Sequence, residues 1–214
     1  ETILSGDIDQ DDAPFAPETD SDGDPNTPPQ TDHINGDNSH HVLLFDGGDA
    51  LGANVGANVT PATVLDGVTV TGGKADDAGF VGGSGGGVIC DGAEFGNACS
   101  PQLTNVVFVG NSAGASGGAL YSAGTNSGVS SPRIRNTTFI GNSATNGGAI
   151  YNSAGTFGES SPQIINAIFT SNNASQGGGA IYSAGTNSGV SSPRITNATF
   201  TSNSATNGGA VYND

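Results

Sequence analysis

Basic residues are nearly absent from this chain. Its 214 residues include only 4 Lys plus Arg against 20 Asp plus Glu, which gives a formal net charge of −16. A surface of this charge repels nucleic acid and anionic membranes and favours cations, so we expect no nucleic-acid partner. No apolar run approaches the roughly 18 residues of a membrane-spanning helix, and we expect no membrane insertion. The chain begins at Glu1 without a signal peptide, which we interpret as a matured or excised chain.

Cysteine is also scarce, and the two that occur, Cys90 and Cys99, are nine positions apart. The histidines, His33, His40 and His41, are remote in sequence, so a zinc site would lack nearby ligands. We therefore predict a disulfide between Cys90 and Cys99, which indicates an oxidising, extracytoplasmic setting. Two buried free thiols are the alternative.

A period of 30 to 31 residues runs through the second half of the chain. The same spacing relates four prolines, four phenylalanines and the only four tyrosines: Pro101, Pro132, Pro162, Pro193; Phe108, Phe139, Phe169, Phe200; Tyr121, Tyr151, Tyr182, Tyr212. A fixed period of this length is typical of repeat proteins, in which each unit buries its apolar face by stacking on the next.

The repeats favour strands over helices. An aliphatic residue (Leu103, Ile134, Ile164 or Ile195) precedes each phenylalanine by five positions, across a β-branched, Thr-rich stretch. Gly and Pro recur too often for helices of useful length. We predict an all-β, parallel β-solenoid of six or seven coils, forming one domain over 1–214. It comprises a first strand at 1–8, an acidic loop insertion at 9–40, irregular coils at 41–100 and four regular repeats at 101–214.

Stacked coils lie about 4.8 Å apart, so equivalent residues should form columns. We expect an internal phenylalanine stack and two internal amide ladders, one of Asn111, Asn142, Asn172 and Asn203 and one of Asn105, Asn136, Asn166 and Asn197.

Upstream, we place Val70 in the phenylalanine column and Cys90 in the tyrosine column. Arg133 and Arg194 share a register with Gln102 and Gln163 on a predicted solvated outer face. The identical segments 122–131 and 183–192 should project on one side.

Two short motifs carry a family resemblance. Gly-Gly-Ala-Ile, with Leu and Val variants, and Phe-x-x-Asn each occur four times. They resemble the repeats of the polymorphic outer membrane protein family of autotransporter passengers. The longer stretch from T-I-L-S-G-D-I through V-L-D-G-V-T-V-T-G-G to the repeats resembles bacterial right-handed parallel β-helix surface proteins. This resemblance implies a right-handed solenoid and a cell-surface, adhesive passenger.

The acidic segment has the composition of a calcium site. Eleven of the twenty acidic residues fall within 1–37, in two clusters: Asp7, Asp9, Asp11 and Asp12, then Asp20, Asp22, Asp24 and Asn26. Alternating carboxylates around a glycine supply oxygen ligands for a hard cation, and the second cluster resembles the D-x-D-G-D-x-N repeats of extracellular matrix proteins. We predict calcium as the cofactor; the alternative is a disordered acidic linker. Asp46-Gly-Gly-Asp49 is a weaker candidate.

No catalytic constellation is apparent, and we expect no enzymatic activity. The histidines before the repeats have no obvious acid partner on the same strand. The two chain ends suggest a different function. The N-terminus resembles a repeat's first strand, with Leu4 and Gly6 in register with Leu65 and Gly67, whereas no cap follows Tyr212.

We therefore hypothesise a secreted structural protein that polymerises head-to-tail into a calcium-stabilised extracellular filament. Its partner would be a second copy of itself, through an interface of Thr2, Ile3, Leu4, Phe200, Val211 and Tyr212. Other partners would be the cell surface or glycans. The alternatives are an adhesin or passenger fragment of a larger β-helix protein, and a polysaccharide lyase or hydrolase.

Overall fold

The computed structural model describes residues 2–5, 40–47, 58–76 and 83–214, and these form a parallel β-solenoid without helices. The predicted all-β solenoid is therefore confirmed. Every pair of strands in the described residues is parallel, because each strand lies beside its equivalent in the next coil. The acidic insertion at 9–40 lies almost entirely outside the described residues.

The described strands belong to four sheets. Sheet 1 contains β1 (Thr2–Ser5), β3 (Val64–Asp66), β4 (Val68–Thr71), β8 (Gln102–Thr104), β9 (Val107–Val109), β13 (Arg133–Arg135), β14 (Thr138–Ile140), β17 (Gln163–Thr170) and β20 (Arg194–Thr201). Sheet 2 contains β5 (Lys74–Ala75), β10 (Ser112–Ala113), β15 (Ser143–Asn146) and β18 (Asn173–Gly177). Sheet 3 contains β2 (Leu43–Asp46), β6 (Val88–Asp91), β11 (Leu120–Ala123), β16 (Ile150–Ala154), β19 (Ile181–Gly185) and β21 (Val211–Asn213). Sheet 4 pairs β7 (Ala98–Cys99) with β12 (Val129–Ser130).

The number of complete turns is smaller than predicted. Sheets 1, 2 and 3 are all present in about four turns, because sheet 2 has four strands in the described residues. Strand β1 extends sheet 1 by one further strand and β2 extends sheet 3 by one, without a matching strand in sheet 2 among the described residues. The prediction of six or seven coils counted these strand-like runs as whole coils.

The core consists of columns of identical or similar side chains. Phe108, Phe139 and Phe169 are fully buried, and their rings stack in parallel with centroids 4.9 and 4.7 Å apart. Val70 pairs with Phe108, which confirms its predicted place below this column. The aliphatic column from Leu103 to Ile195 runs beside it. Burying a large apolar side chain contributes about 1.5–3 kcal/mol, so these repeated columns provide the main stabilisation of the fold.

A buried amide ladder borders the phenylalanine stack, as predicted. The Nδ2 of Asn111 donates to Oδ1 of Asn142 (3.1 Å), and Nδ2 of Asn142 donates to Oδ1 of Asn172 (3.0 Å). Each Nδ2 also donates to a backbone carbonyl of the preceding coil, as from Asn142 to Phe108 O (3.1 Å). Each Oδ1 accepts a second bond from a backbone N–H, as from Asn111 N to Asn142. The ladder therefore satisfies buried backbone groups at a corner where the strand ends.

Close contact between coils explains the second glycine of each Gly-Gly pair. A Cβ on Gly148 would lie 2.3 Å from the carbonyl oxygen of Gly179 in the next coil. The first glycine of the pair, Gly147, has a φ of +61°, which favours glycine for a different reason. Any side chain at Gly148 would separate the two coils.

The sequence register was wrong at two places. Leu4 pairs with Val70 rather than with Leu65, so β1 lies over the second half of the sheet 1 strand. Cys90 pairs with Ser122, and Ile89 is the residue that pairs with Tyr121. Each repeat has two apolar positions that could align with Leu4, and three consecutive glycines before Val88 permit two alignments of Cys90.

The identical segments 122–131 and 183–192 differ in exposure: the second is exposed at 185–188, Val190 and Ser192, whereas the first projects less than predicted. In the first segment only the tight turn is exposed, at Asn126 and Ser127, whereas Ser122 and Ser130 are fully buried. The Ser122 and Ser130 hydroxyls lie 2.8 Å apart, and the Ser130 hydroxyl donates to the Cys90 carbonyl (3.0 Å). These small hydroxyls form a second, polar column inside the coils.

Candidate functional site: the outer faces of the coils

The predicted calcium ligands fall outside the described residues. This applies to Asp7, Asp9, Asp11, Asp12, Asp20, Asp22, Asp24 and Asn26, and also to Asp49. In the part of the chain that the structure describes, no three His, Cys, Asp or Glu side chains come together to hold a metal ion. The calcium site stays a prediction.

The predicted disulfide is confirmed. Cys90 and Cys99 are bonded, with their Cα atoms 5.5 Å apart, and both are fully buried. The bond closes the turn between β6 and β7, so it fixes one coil between sheets 3 and 4. A structural disulfide of this kind indicates an oxidising compartment.

Two carboxylates lie side by side near this turn. Asp46 of β2 and Asp91 of β6 are partners in adjacent levels of sheet 3. Burial raises the pKa of Asp91, and the negative charges of Asp46 and Glu94 act in the same direction. The hydrogen bond that Ala93 N donates to Asp91 (2.9 Å) lowers the pKa of Asp91, but its effect is smaller than that of burial.

The tyrosines form a half-buried stack on the outer side of sheet 3. The rings of Tyr121, Tyr151 and Tyr182 follow one another with centroids 5.7 and 5.0 Å apart, and the Tyr182 hydroxyl donates to Asp214 (3.1 Å). Burial raises the pKa of Tyr151 to about 12 and raises that of Tyr121 as well. These hydroxyls are therefore neutral donors rather than bases at ordinary pH.

The second amide ladder is exposed, whereas we predicted an internal one. Asn166 Nδ2 donates to Asn136 Oδ1 (3.1 Å), and Asn197 Nδ2 donates to Asn166 Oδ1 (2.7 Å). Each of these residues has a positive φ, such as +50° at Asn136, and this backbone turn directs the side chain outward. Asparagine tolerates this conformation better than most residues do. The ladder therefore runs along the surface of sheet 1.

The arginine column is exposed, as predicted. Arg133 pairs with Gln102 on one side and Gln163 on the other, and Arg194 continues the column. Arg135 lies two positions along the same strand as Arg133 and also faces solvent.

Sequence reasoning missed two exposed aromatic side chains. Phe95 and Phe157 are 87% and 71% exposed in the stacked turns at the edge of sheet 4. Serine occupies the matching turn position of Phe157 in the neighbouring coils, at Ser127 and Ser188. The aromatic residues break the column pattern there, which is the signal that could have identified them.

His40 and His41 lie just before β2. Nδ1 of His41 lies 3.0 Å from the carbonyl oxygen of Gly85, and the His40 and His41 rings meet edge to face. His33 lies outside the described ranges. Among the described residues there is no helix that could span a membrane.

One family model matches the chain. The model of the Chlamydia polymorphic membrane protein (Chlamydia_PMP) repeat matches four segments, at 105–123, 136–153, 166–184 and 197–214. Each segment runs from the exposed asparagine of sheet 1 to sheet 3, and together they confirm the resemblance seen in the repeat motifs. No curated protein and no solved structure matches the chain significantly.

Proposed function

Because the chain carries four Chlamydia polymorphic membrane protein repeats that stack as coils of one solenoid, we propose that it is a passenger segment displayed at a cell surface, where its outer faces take part in adhesion. The observation that carries this proposal is the coincidence of the matched segments with successive coils in register. The buried disulfide favours the same extracellular location.

The geometry suits display and repeated contact. Each level of sheets 1 and 3 places its outward residues directly beside those of the next coil, about 4.8 Å away. A surface ligand with its own repeat would therefore meet several equivalent side chains, and weak single contacts would add to a stronger total. The continuous core makes the solenoid a stiff support for such contacts.

We infer a binding function rather than a catalytic one. Acid–base or nucleophilic catalysis needs titratable groups that converge within hydrogen-bond reach. In the described residues, the columns facing outward from sheet 1 are made mainly of Gln, Arg, Thr, Asn and Ile. Incubation with uronic acid polymers, followed by measurement of new unsaturated or reducing ends, tests this inference; product formation would contradict it.

Head-to-tail polymerisation is the second candidate. Its support is that β1 and β20 lie at opposite ends of the sheet 1 stack, where Ile3 is 59% exposed and Phe200 is half-buried. In a longer passenger the same edges would pair with further coils instead. Electron microscopy of purified protein with calcium distinguishes the two, since fibres support polymerisation and persistent monomers contradict it.

The display proposal is tested on intact cells of the source organism. Antibodies against the chain should label unpermeabilised cells, and added protease should remove that label. Bacteria engineered to display the chain should also adhere to cultured target cells more strongly than the same bacteria displaying an unrelated solenoid of equal length. Labelling only after permeabilisation would contradict surface display.

A further inference from the structure

All three arginines of the chain lie on one outer face. We define the arginine face as the outward side of β8, β13 and the first halves of β17 and β20. One column contains Gln102, Arg133, Gln163 and Arg194, and Arg135 lies beside it. The remaining cation, Lys74, belongs to sheet 2. In a chain of net charge −16, this is a segregated positive patch.

The guanidinium groups are available to a ligand. Arg133, Arg135 and Arg194 are exposed, and none of them forms an ion pair within the described part of the chain. Asp66, two levels away in the Arg135 column, accepts a hydrogen bond from Asn105 Nδ2 (2.8 Å). The face therefore offers several planar donor groups without internal partners.

The spacing of the arginines indicates a ligand with a repeat of its own. Arg133 and Arg194 are separated by the level of Gln163, so their backbones lie about 10 Å apart at the usual strand spacing. An arginine binds a carboxylate with two parallel N–H···O bonds. Gln163 lies between the two arginines, and the exposed asparagine ladder runs alongside this column, three positions further along each strand. Both supply donors and acceptors for hydroxyl groups.

The overall charge selects among anionic ligands. A net charge of −16 repels dense polyanions such as nucleic acids and heavily sulfated glycans, and three arginines neutralise only a few charges. A polymer with widely spaced charges meets less repulsion and can still pair each carboxylate locally. Within this face, β8, β13 and β17 are hydrogen-bonded on both sides, so an extended peptide could add only at the outer edge of β20 and would not cover Arg133 and Arg135.

We propose that the arginine face binds a linear polysaccharide that carries a carboxylate on alternate sugars. Arg133 and Arg194 hold successive carboxylates, Arg135 adds a third contact, and Gln163 binds the sugar between them. This inference rests on the proposed surface display, because it names the ligand class of the displayed solenoid.

Hyaluronan is the probe, since it carries one carboxylate in each disaccharide. Binding of the whole chain is measured by biolayer interferometry at low and at physiological ionic strength. The variant Arg133→Gln/Arg194→Gln should bind at least about tenfold more weakly and show a smaller salt dependence. Glutamine already occupies this column at Gln102 and Gln163, so the variant should fold.

Two further variants serve as controls. Lys74→Gln removes a charge on sheet 2 and should leave hyaluronan binding unchanged. Arg133→Lys/Arg194→Lys keeps the charge but loses the two-pronged geometry, and should bind with intermediate strength. Neutral dextran should not bind.

Several results would overturn the inference. The first is that the wild type does not bind hyaluronan. The second is that Arg133→Gln/Arg194→Gln binds hyaluronan with the same affinity as the wild type. The third is that the wild type binds poly-L-glutamate or dextran sulfate at least as tightly as hyaluronan. If the chain is labelled at the cell surface and promotes adhesion but does not bind hyaluronan, the polysaccharide inference is rejected and the display proposal stands. Hyaluronan binding by a chain that is absent from the cell surface would reject the display proposal alone.

Discussion

Asn142 donates its side-chain amide to Asn172 across 3.0 Å inside the solenoid, in a column where every member also binds backbone. The exposed ladder makes the same kind of bond, from Asn166 to Asn136 at 3.1 Å. The chain thus contains the same amide interaction in two environments, one buried and one exposed to water.

Asn142→Ala should lower the free energy of unfolding by about 3 kcal/mol. The substitution leaves the buried Asn111 N–H and the Phe108 carbonyl without their partner. Urea denaturation followed by circular dichroism measures the change.

The matched control is Asn136→Gly, which removes an exposed link while retaining the positive φ. Its effect should stay below about 1 kcal/mol, because water replaces the lost hydrogen bond. Equal effects of the two substitutions would show that burial is not the reason for the ladder's contribution.

Phe139→Ala should cost about 3–5 kcal/mol, since it opens a cavity between two stacked rings. Phe157→Ser is the control: the ring is 71% exposed, and serine occupies this turn position in adjacent coils. It should change stability by less than about 0.5 kcal/mol. Comparable losses in the two variants would contradict the assigned core.

The repeat period predicted the features that depend on equivalence between coils. Leu103, Phe108 and Asn111 each head a column whose later members follow from the spacing alone. Once the repeats are aligned, the residues above and below any member of such a column are known. The exposure of Arg133 and Arg194 could also be predicted, because their column contains only arginine and glutamine and no apolar residue.

Features set by backbone conformation were not predictable in this way. Asn136 was assigned to the interior because its spacing equals that of Asn142, but its positive φ turns the side chain to solvent. Spacing carries no information on φ. Cys90 was misplaced by one position because Gly85, Gly86 and Gly87 provide no side chains that distinguish two registers.

Loss of the disulfide should destabilise the chain by about 2–3 kcal/mol, as the loop-entropy relation gives for a sequence separation of 9 residues. Thermal melting of the wild type with and without dithiothreitol measures this. Cys90→Ala/Cys99→Ala should melt near the reduced wild type and show no response to the reductant. A response of that variant would indicate an effect unrelated to the bond.

Stability should fall as the pH rises from about 10 to about 12. Burial raises the pKa of Tyr151 from 10.0 to about 12 in the folded state. In this window the unfolded chain releases its proton while the folded chain retains it, so deprotonation favours unfolding. Urea midpoints across the window measure the loss, and Tyr151→Phe should lessen it while keeping the ring in the stack. An identical pH dependence in both proteins would refute this assignment.

Calcium should raise the melting temperature if the acidic segment binds it. Six to eight oxygen ligands are needed, and Asp20, Asp22, Asp24 and Asn26 are the main candidates. Calorimetry with calcium and with a chelator measures the shift, and Asp20→Asn/Asp22→Asn/Asp24→Asn should abolish it. Magnesium at equal ionic strength controls for simple charge screening, and an equal shift with magnesium would contradict a specific site.

The two identical ten-residue segments, 122–131 and 183–192, occupy the same place in coils two levels apart. Recombination between the gene stretches that encode them would delete or duplicate two whole coils, and the junction would still join Tyr121 or Tyr182 to the same sequence. The rod would change in length by a step of about 10 Å without a new interface having to evolve. A change of this kind would alter the reach of the solenoid in fixed steps of two coils.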